Sequence, residues 1–569
     1  MEEMSWSHPM DSSTASCKHL DDETKEHIAS ALWMRDFESD TLPDEVREQL
    51  SDAKNSPSAF GARMTAYLDW LDAHPQSHNP SYKRRYATLK RFCAALTPHQ
   101  AYVMAHTFLG LNASQGFEPV PNLADLQFPR DHVPQLRARV GWHFFVGSCW
   151  DATGREYGVE YVVYRIPLLT PALAAHFNLT DVANQIIELQ LAISQAGDQH
   201  YQADPVVIAG TTGLITCGLN PFHYSVGRNR IESTNDDSFF PLHLAAWGLE
   251  KRGVEPRELG IDLTLTSGKE YLLQGANGCM PCVDGIGTLY YSIPNMALAP
   301  GSSLRIGEET VTLTRGTFWF DHQWGFPSNS NPQSAVLRAA HNTKRPEPEG
   351  WDWFMAHFTG NRQLTMFALH TRACAAYYHQ TGPQPPATMR VNVMGKYMDE
   401  RAELSNTAGT LTVPQWVKST YTPNPARYPV TDTWHPNRWE FTFDEIVPKD
   451  IRSFTLAPIV ETGQTNYGAN GSHYAEGAVY VRTATGDDIG RGFAESVEYA
   501  DTTDAMLTLA GITDPRVRRV LRSPEVSSRL RRVQSLLYVA MHRSELRRIL
   551  ASQQGLEMFG GSAPTNDHR

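Results

Sequence analysis

The chain has 569 residues, a formal net charge of -12 at pH 7, and apolar residues at 41% of its positions. A chain of this length and composition is expected to fold into two to four domains with packed apolar cores. The excess of acidic residues argues against nucleic acid as a partner, and no apolar run is long enough to predict a membrane-spanning helix.

The N-terminal part of the sequence is polar at first and then helical in pattern. Its first residues lack the basic start and apolar core of a secretory signal, so we expect a cytoplasmic protein. From residue 21 to about 112, acidic helix starts are followed by apolar residues at three- and four-residue spacing. A proline-containing connector, FEPVPNLADLQFPRDHVP, follows this region.

The central part, residues 138–502, has a different pattern. Short runs such as YGVEYVVYRI, GIDLTLTSG and VTLTRGTFWF are rich in β-branched and aromatic residues and end at turn residues. This pattern predicts a long antiparallel β region built of barrels or sandwiches. One segment, residues 170–197, has helical spacing and is predicted to interrupt the strands with a helix.

The C-terminal part returns to helical spacing and is strongly basic. DPRVRRVLRSPEVSSRLRRVQSLLYVAMHRSELRRIL carries ten Arg against three acids. Two interpretations stay open. The helices cap the acidic N-terminal helices, or they present a basic amphipathic surface to an acidic carrier protein or an anionic membrane, which would place the protein at the membrane periphery. The tail after residue 552 is predicted to be disordered.

The stretch GTFWFDHQWG places an acidic side chain among large aromatic rings. Loss of water around Asp321 favours the neutral carboxyl and raises its pKa. A protonated carboxyl in an apolar pocket can protonate an alkene or a carbonyl, and aromatic faces stabilise the resulting cation. In a regular strand, Trp319, Asp321 and Gln323 share one face, which we expect to line a cavity. His322 and Trp324 lie on the other face, where we expect them to hold two β barrels together.

Motifs for other chemistries are missing from the sequence. It contains no G-x-S-x-G elbow, no phosphate-binding P-loop and no H-E-x-x-H. The C-x-x-C formed by Cys279 and Cys282 lacks the second pair that a zinc site needs. The Gly-rich stretch GANGCMPCVDGIG is not part of a nucleotide-binding βαβ pattern. We therefore expect neither a cofactor nor a metal.

Five stretches of the β region resemble, in order, segments of a known family. They are RVGWHFFVGSCWDATGREYGVEYVVYR, which ends at Arg165, then NPFHYSVGRNRIE, GTLYYSIPN with GTFWFDHQWG, RYPVTDTW, and SHYAEGAVYVRTATGDDIGRGFAESVEYA. The sequence resembles the two-domain lipocalin-like family that includes carotenoid 1,2-hydratases and AttH-type proteins and is related to lipocalin-like Diels–Alderases. The resemblance does not include the helical flanks, and YYSIPNM stands where carotenoid hydratases carry a His-x-Trp feature.

The resemblance implies a mainly β fold with two lipocalin-like antiparallel β-barrel or sandwich domains and α-helical N- and C-terminal extensions. It also places Glu476 and Glu495 at family positions, where we expect them to pair with Arg491 or Arg165. The predicted organisation is a disordered segment 1–20, a helical region 21–137, β domains 138–345 and 346–502, an Arg-rich helical region 503–552, and a disordered tail 553–569.

In the family that the sequence resembles, the Asp of this motif is the proposed acid, and it matches Asp321. We predict a cofactor-independent enzyme of natural-product metabolism that acts on a hydrophobic isoprenoid, polyene or polyketide by acid-assisted hydration, dehydration or isomerisation. Two alternatives stay open: a Diels–Alderase-like cyclase that folds its substrate in the cavity, and a non-catalytic carrier of lipid or pigment. The predicted catalytic residues are Asp321, Tyr291 and Trp319, and the predicted substrate-binding residues are Tyr290, His322, Gln323, Trp324, His223 and Tyr224.

Overall fold

The computed structural model describes residues 117–118, 120–121, 124–167, 171–176, 180–283, 286–325, 348–371, 389–426, 428, 433–469, 473–497 and 499. All of them lie in one compact unit, Gly110–Arg548. The regions predicted to be helical at 21–112 and 503–552, and the tail after them, lie outside the described residues. Within the described part, no helix has the length and hydropathy needed to span a membrane.

The first β domain is an open antiparallel sheet of fifteen strands, which curls into a half-barrel. Its strands are β1 Gly141–Asp151, β2 Glu156–Pro167, β3 Gln185–Gln195, β4 His200–Gln202, β5 Val206–Ala209, β6 Ile215–Gly218, β7 His223–Val226, β8 Asn229–Asn235, β9 Ser238–Glu250, β10 Arg257–Leu265, β11 Leu272–Leu273, β12 Cys279–Val283, β13 Ile286–Ala297, β14 Ser303–Ile306 and β15 Glu309–Trp324. The main path of neighbours runs β4-β3-β2-β1-β15-β14-β10-β9-β8-β7-β6, and β13 pairs with the C-terminal half of β15.

The second β domain is a closed barrel. Its strands are β16 Pro348–Phe358, β17 Arg362–Thr371, β18 Met389–Met398, β19 Leu404–Lys418, β20 Trp434–Phe443, β21 Ser453–Pro458, β22 Thr465–Tyr467, β23 His473–Arg482 and β24 Asp488–Ser496. Pairing of β21 with β23 closes eight of these strands, and β22 attaches to β23. The predicted fold class, a mainly β protein with two antiparallel β domains, is confirmed for the described residues.

Helices are few in the described part of the chain. They are the 3-10 turns Arg130–His132 and Gly210–Thr212 and one short α-helix, α1 Pro171–His176. The helix predicted over 170–197 is wrong for most of its length, because β3 occupies Gln185–Gln195. Nearly every residue of β3 is buried, on both faces of the sheet. A strand buried on both faces reads as a continuous apolar run, which periodicity cannot distinguish from a helix.

The two faces of the half-barrel pack against different parts of the molecule. The inner face encloses the core of the first domain, here called the half-barrel interior, which includes Phe145, Tyr161 and Phe320. The outer face of β1, β2 and β15 packs on β16, β23 and β24 of the barrel. This contact, here called the seam, buries the apolar side chains Phe144, Val146, Val162, Trp319, Trp353, Met355, Ala478 and Phe493.

Close backbone approach at the seam depends on a glycine in β2. A Cβ atom added to Gly158 would lie 2.5 Å from the Cβ of Ala478 in β23. Because any side chain at this position would push the two domains apart, the seam needs glycine here for its packing rather than for its backbone angles.

Candidate functional site

The carboxyl group of Asp321 lies in the seam and accepts hydrogen bonds from three side chains. Tyr290 donates from its hydroxyl at 2.5 Å, Ser292 from its hydroxyl at 2.5 Å, and Trp319 from its indole nitrogen at 2.7 Å. Asp321 is only 3% exposed. Strand geometry explains the convergence: Ser292 in β13 is directly opposite Asp321 in β15, and Trp319 is two residues earlier on the same face.

The second domain reaches this network from across the seam. The indole of Trp353 in β16 donates to the Tyr290 hydroxyl at 2.9 Å. Gln274 donates to Ser292 at 2.9 Å and to Thr365 of β17 at 3.0 Å. The hydrogen-bond network around Asp321 therefore includes residues of both domains. The three side chains that bond Asp321 directly all belong to the first domain.

Burial sets the protonation behaviour of this site. It raises the pKa of Asp321 to about 7, while the three donated hydrogen bonds act in the opposite direction. Burial and the neighbouring carboxylate also raise the pKa of Tyr290 well above its ordinary value. A carboxyl with a pKa near 7 can release and recover a proton at neutral pH, which is the property required of a general acid or base.

Aromatic rings surround the carboxyl on the seam face. The rings of Trp319 and Trp353 lie 6.4 Å apart, and Phe144 meets Trp353 edge-on at 5.5 Å. His357 lies 5.7 Å from the Trp319 ring, and burial lowers its pKa to about 3. His357 is therefore uncharged at neutral pH. None of the four side chains Trp319, Trp353, Phe144 and His357 places a positive charge beside Asp321.

The predicted division of β15 between two faces is confirmed. Trp319 and Asp321 face the seam, and Gln323 on the same face donates to Thr288 at 2.8 Å. The expectation that His322 and Trp324 hold the two barrels together is wrong. Both lie in the half-barrel interior, where their rings are 4.5 Å apart, because the alternation of the strand directs them away from the second domain.

The two neighbouring tyrosines of β13 are separated in the same way. Tyr290 bonds Asp321, whereas Tyr291 is in the half-barrel interior, 2.7 Å from Nδ1 of His132. The structure thus places Tyr291 apart from the carboxyl with which the sequence grouped it. His132 also stacks on Phe239 at 3.7 Å.

The remaining predicted substrate-binding residues lie elsewhere in the half-barrel. Tyr224 is fully buried in its interior. His223, next in sequence, is half-buried and bonds only the backbone carbonyl of Pro221, at 3.2 Å. Neither residue is among the hydrogen-bonding partners of Asp321.

The predicted pairing of the glutamates is wrong. Arg491 pairs with Glu156 at 2.6 Å rather than with Glu476 or Glu495. Arg165 forms no ion pair with any described carboxylate. Glu476 and Glu495 instead lie opposite each other on β23 and β24. No group of three described His, Cys, Asp or Glu side chains is arranged to hold a metal ion.

Sequence reasoning missed Ser292, Gln274 and Trp353. Ser292 had a usable signal, because it is two residues from Tyr290 and therefore on the same face of a strand. Gln274 and Trp353 carried no such signal, since both reach the site through tertiary contacts between separate strands.

A family model identifies the family to which the chain belongs. The family model described as AttH-like matches residues 119–499. Similar solved structures include an AttH protein from Nitrosomonas europaea, which is 16% identical over 68% of this chain and 100% of its own, with a TM-score of 0.48. Kievitone hydratase from Nectria haematococca is 14% identical over 67% of this chain and 98% of its own, with a TM-score of 0.41. A search of curated protein sequences found no match.

Proposed function

Because the chain belongs to the AttH-like family, we propose that it is an enzyme that works by acid–base chemistry and hydrates, dehydrates or isomerises a hydrophobic substrate. Asp321 is the proton donor and acceptor in this proposal. The observation that supports it is a buried carboxyl with a pKa of about 7, set among aromatic rings at the seam. The substrate class is an isoprenoid, polyene or polyketide with a double bond or carbonyl.

The proton balance of hydration needs only this one carboxyl. Protonated Asp321 gives its proton to one carbon of the double bond, and the other carbon becomes cationic. The faces of Trp319 and Trp353 stabilise that cation. Water adds through oxygen and returns a proton to the carboxylate, so the acid is regenerated and one water is consumed.

Tyr290 supplies a path for that proton. Its oxygen accepts from Trp353 and its hydroxyl donates to Asp321. When Asp321 is protonated, the carboxyl can donate to the Tyr290 oxygen, and the phenolic proton is then available to the substrate. A tyrosine hydroxyl reverses its hydrogen bond in this way, whereas the indole of Trp319 only donates.

Isotope labelling tests the proposal on a mixture of candidate substrates. The purified protein is incubated with an organic extract of the cells that produce it, in D2O and separately in H2(18)O, and products are followed by mass spectrometry. Hydration incorporates the heavy oxygen, and isomerisation incorporates deuterium alone. Dehydration incorporates neither label and lowers the mass by one water, whereas cyclisation incorporates neither label and leaves the mass unchanged. An unlabelled product of unchanged mass would therefore favour the cyclase alternative.

The test variant is Asp321→Asn, which keeps the shape of the side chain and removes the acid. We expect it to lower turnover at least 100-fold, within the usual contribution of a general acid. Asp352→Asn is a matched control, because burial also raises the pKa of Asp352 to about 7 but its carboxyl accepts from Tyr499 at 3.0 Å, away from the Asp321 network. Equal turnover by wild type and Asp321→Asn would refute the proposal.

A further inference from the structure

Arg165, at the end of β2, places a guanidinium group in the half-barrel interior. The residue is 2% exposed. Its Nη1 donates to the carbonyl of Ala138 at 3.0 Å and to the side-chain oxygen of Gln185 at 3.2 Å. Its Nη2 is buried and has no hydrogen-bond partner. One half of the guanidinium is therefore anchored, and the other half has unused donors.

No described carboxylate forms an ion pair with Arg165. Both groups that accept from it are neutral, so they orient the charge without balancing it. A buried cation without a counter-ion is strongly unfavourable, and proteins ordinarily pair such groups. Here burial lowers the pKa of Arg165 to about 10, which leaves the group charged at neutral pH. The positive charge thus remains available to an anion.

Gln185, which anchors Arg165, is itself held in place by two hydrogen bonds. Gln185, which accepts from the guanidinium, donates to the backbone carbonyls of Leu136 at 2.9 Å and Asp181 at 2.8 Å. These two bonds fix the amide so that its oxygen faces Arg165. A side chain held by a fixed partner has less conformational entropy to lose when it binds a ligand.

A second unused donor lies in the same interior. The hydroxyl of Tyr224 in β7 is buried and has no hydrogen-bond partner. The Tyr224 ring lies 5.2 Å from that of His143. His143 is two residues from Gly141 on the same face of β1, and Gly141 is opposite Arg165. The Arg165 charge also partly offsets the rise in the pKa of Tyr224 that burial causes. A second buried guanidinium, Arg139, lies close enough to lower the pKa of Arg165 further.

The face of the sheet that carries Arg165 continues into an apolar region. Farther along this face of β1, β2 and β15 lie Phe145, Tyr161 and Phe320. Gly141 lies opposite Arg165 in the sheet, and a Cβ atom there would be 3.1 Å from Nη2. The lack of a side chain at Gly141 keeps that nitrogen unobstructed on one side.

We propose that the half-barrel interior binds an organic carboxylate with an apolar body, whose oxygens accept from Nη2 of Arg165 and the hydroxyl of Tyr224. Two donors and one excess charge match a monoanion with two oxygens, and the aromatic lining matches an apolar body. The site lies on the opposite face of β1 and β15 from Asp321, so it does not depend on the proposed reaction. The side chains of the half-barrel interior are packed against one another, so they must rearrange to admit the ligand.

The test compares a fluorescent polyene fatty acid, cis-parinaric acid, with its methyl ester on the full chain. The two probes share the apolar body and differ only in the charge. We expect the acid to bind at least tenfold more tightly than the ester. Arg165→Met is expected to weaken binding of the acid at least tenfold and to leave the ester unchanged, and Tyr224→Phe to weaken the acid a few-fold.

Two results would overturn the proposal. One is equal affinity of wild type for acid and ester. The other is unchanged affinity of Arg165→Met for the acid. Asp321→Asn locates the probe: it is expected to bind the acid as wild type does, and a loss equal to that of Arg165→Met would place the acid at the seam and refute the site. If Arg165→Met does not fold, the acid-to-ester ratio of wild type and of Tyr224→Phe decides the question.

Discussion

The seam and the half-barrel interior each bury an ionisable side chain, and they differ in how fully that side chain is hydrogen-bonded. At the seam, the carboxyl of Asp321 accepts from three side chains, and further donors support two of those. In the interior, Arg165 donates to two neutral oxygens and keeps one nitrogen without a partner. The seam therefore provides hydrogen-bond donors for both oxygens of its carboxyl, whereas the interior leaves part of its guanidinium without acceptors.

This difference separates two kinds of function within one sheet. A carboxyl that is fully hydrogen-bonded and has a pKa near 7 is prepared to exchange a proton. A cation with unused donors is prepared to hold an anion. Strands β1 and β15 line both regions, because alternate residues of a strand project to opposite faces. Variants on either face test whether the two regions are independent.

Replacing Asp321 with Asn is expected to give the largest change in the free energy of unfolding, and the size of that change depends on pH. The unfolded chain ionises Asp321 near its ordinary pKa of 3.8, whereas the folded protein does so only near 7. Wild type therefore loses stability as the pH rises from about 4 to 7, and Asp321→Asn lacks this loss. We expect the variant to match wild type at pH 4 and to exceed it by up to about 4 kcal/mol at pH 8.

Urea unfolding at the two pH values measures this difference. Arg165→Met serves as the comparison. The guanidinium of Arg165 stays charged throughout this range, so the free energy of unfolding of this variant should differ from that of wild type by the same amount at both pH values. A constant stability difference for Asp321→Asn would show that the carboxyl has no raised pKa in the folded protein.

A wedge at the seam should separate the domains without touching the interior. Gly158→Leu forces a side chain against Ala478 and Ile459, whose nearest atoms are 2.5 and 3.3 Å from the added Cβ. We expect a loss of about 3 kcal/mol in the free energy of unfolding, as for other overpacked sites. Gly253→Leu, in an exposed turn, should change it by less than about 0.5 kcal/mol. Similar effects of both substitutions would mean that the seam is loosely packed.

A single hydrogen bond across the seam should give the smallest effect. Trp353→Phe removes the indole donor to Tyr290. Trp439→Phe in the barrel removes an indole whose nitrogen is buried without a partner, so it reports the change in packing alone. Thermal or urea unfolding should show Trp353→Phe to be the more destabilising by about 1 kcal/mol. A larger loss for Trp439→Phe would contradict the hydrogen bond at the seam.

The sequence predicted which residues share a face of β15 better than it predicted what each face packs against. Alternation grouped Trp319 with Asp321 correctly, because it depends only on strand geometry. It did not reveal that the opposite face, with His322 and Trp324, is enclosed by the half-barrel. That outcome depends on which strands pair across long stretches of sequence, such as β1 with β15, and local patterns do not encode such pairings.

The same limit applies to the overall architecture. Strand-rich composition predicted the β domains, but not that one closes through β21 and β23 while the other stays open. The misread segment around β3 shows a second limit. Burial on both faces removes the alternation by which a strand is recognised. The unused donors of Arg165 and Tyr224 gave no signal either, since an unmet hydrogen bond appears only in three dimensions.

The position of β15 has a consequence for how the protein is made. Strand β1 pairs with β15 from Gly141 opposite Trp324 to Asp151 opposite Leu313, so its partner is among the last strands of the domain to leave the ribosome. At about 5–20 residues per second, β1 waits on the order of 10 s with one edge unpaired. An exposed edge strand is a template for pairing with other chains. Nascent chains are therefore expected to be most prone to aggregate, and most dependent on chaperones, before Trp324 emerges.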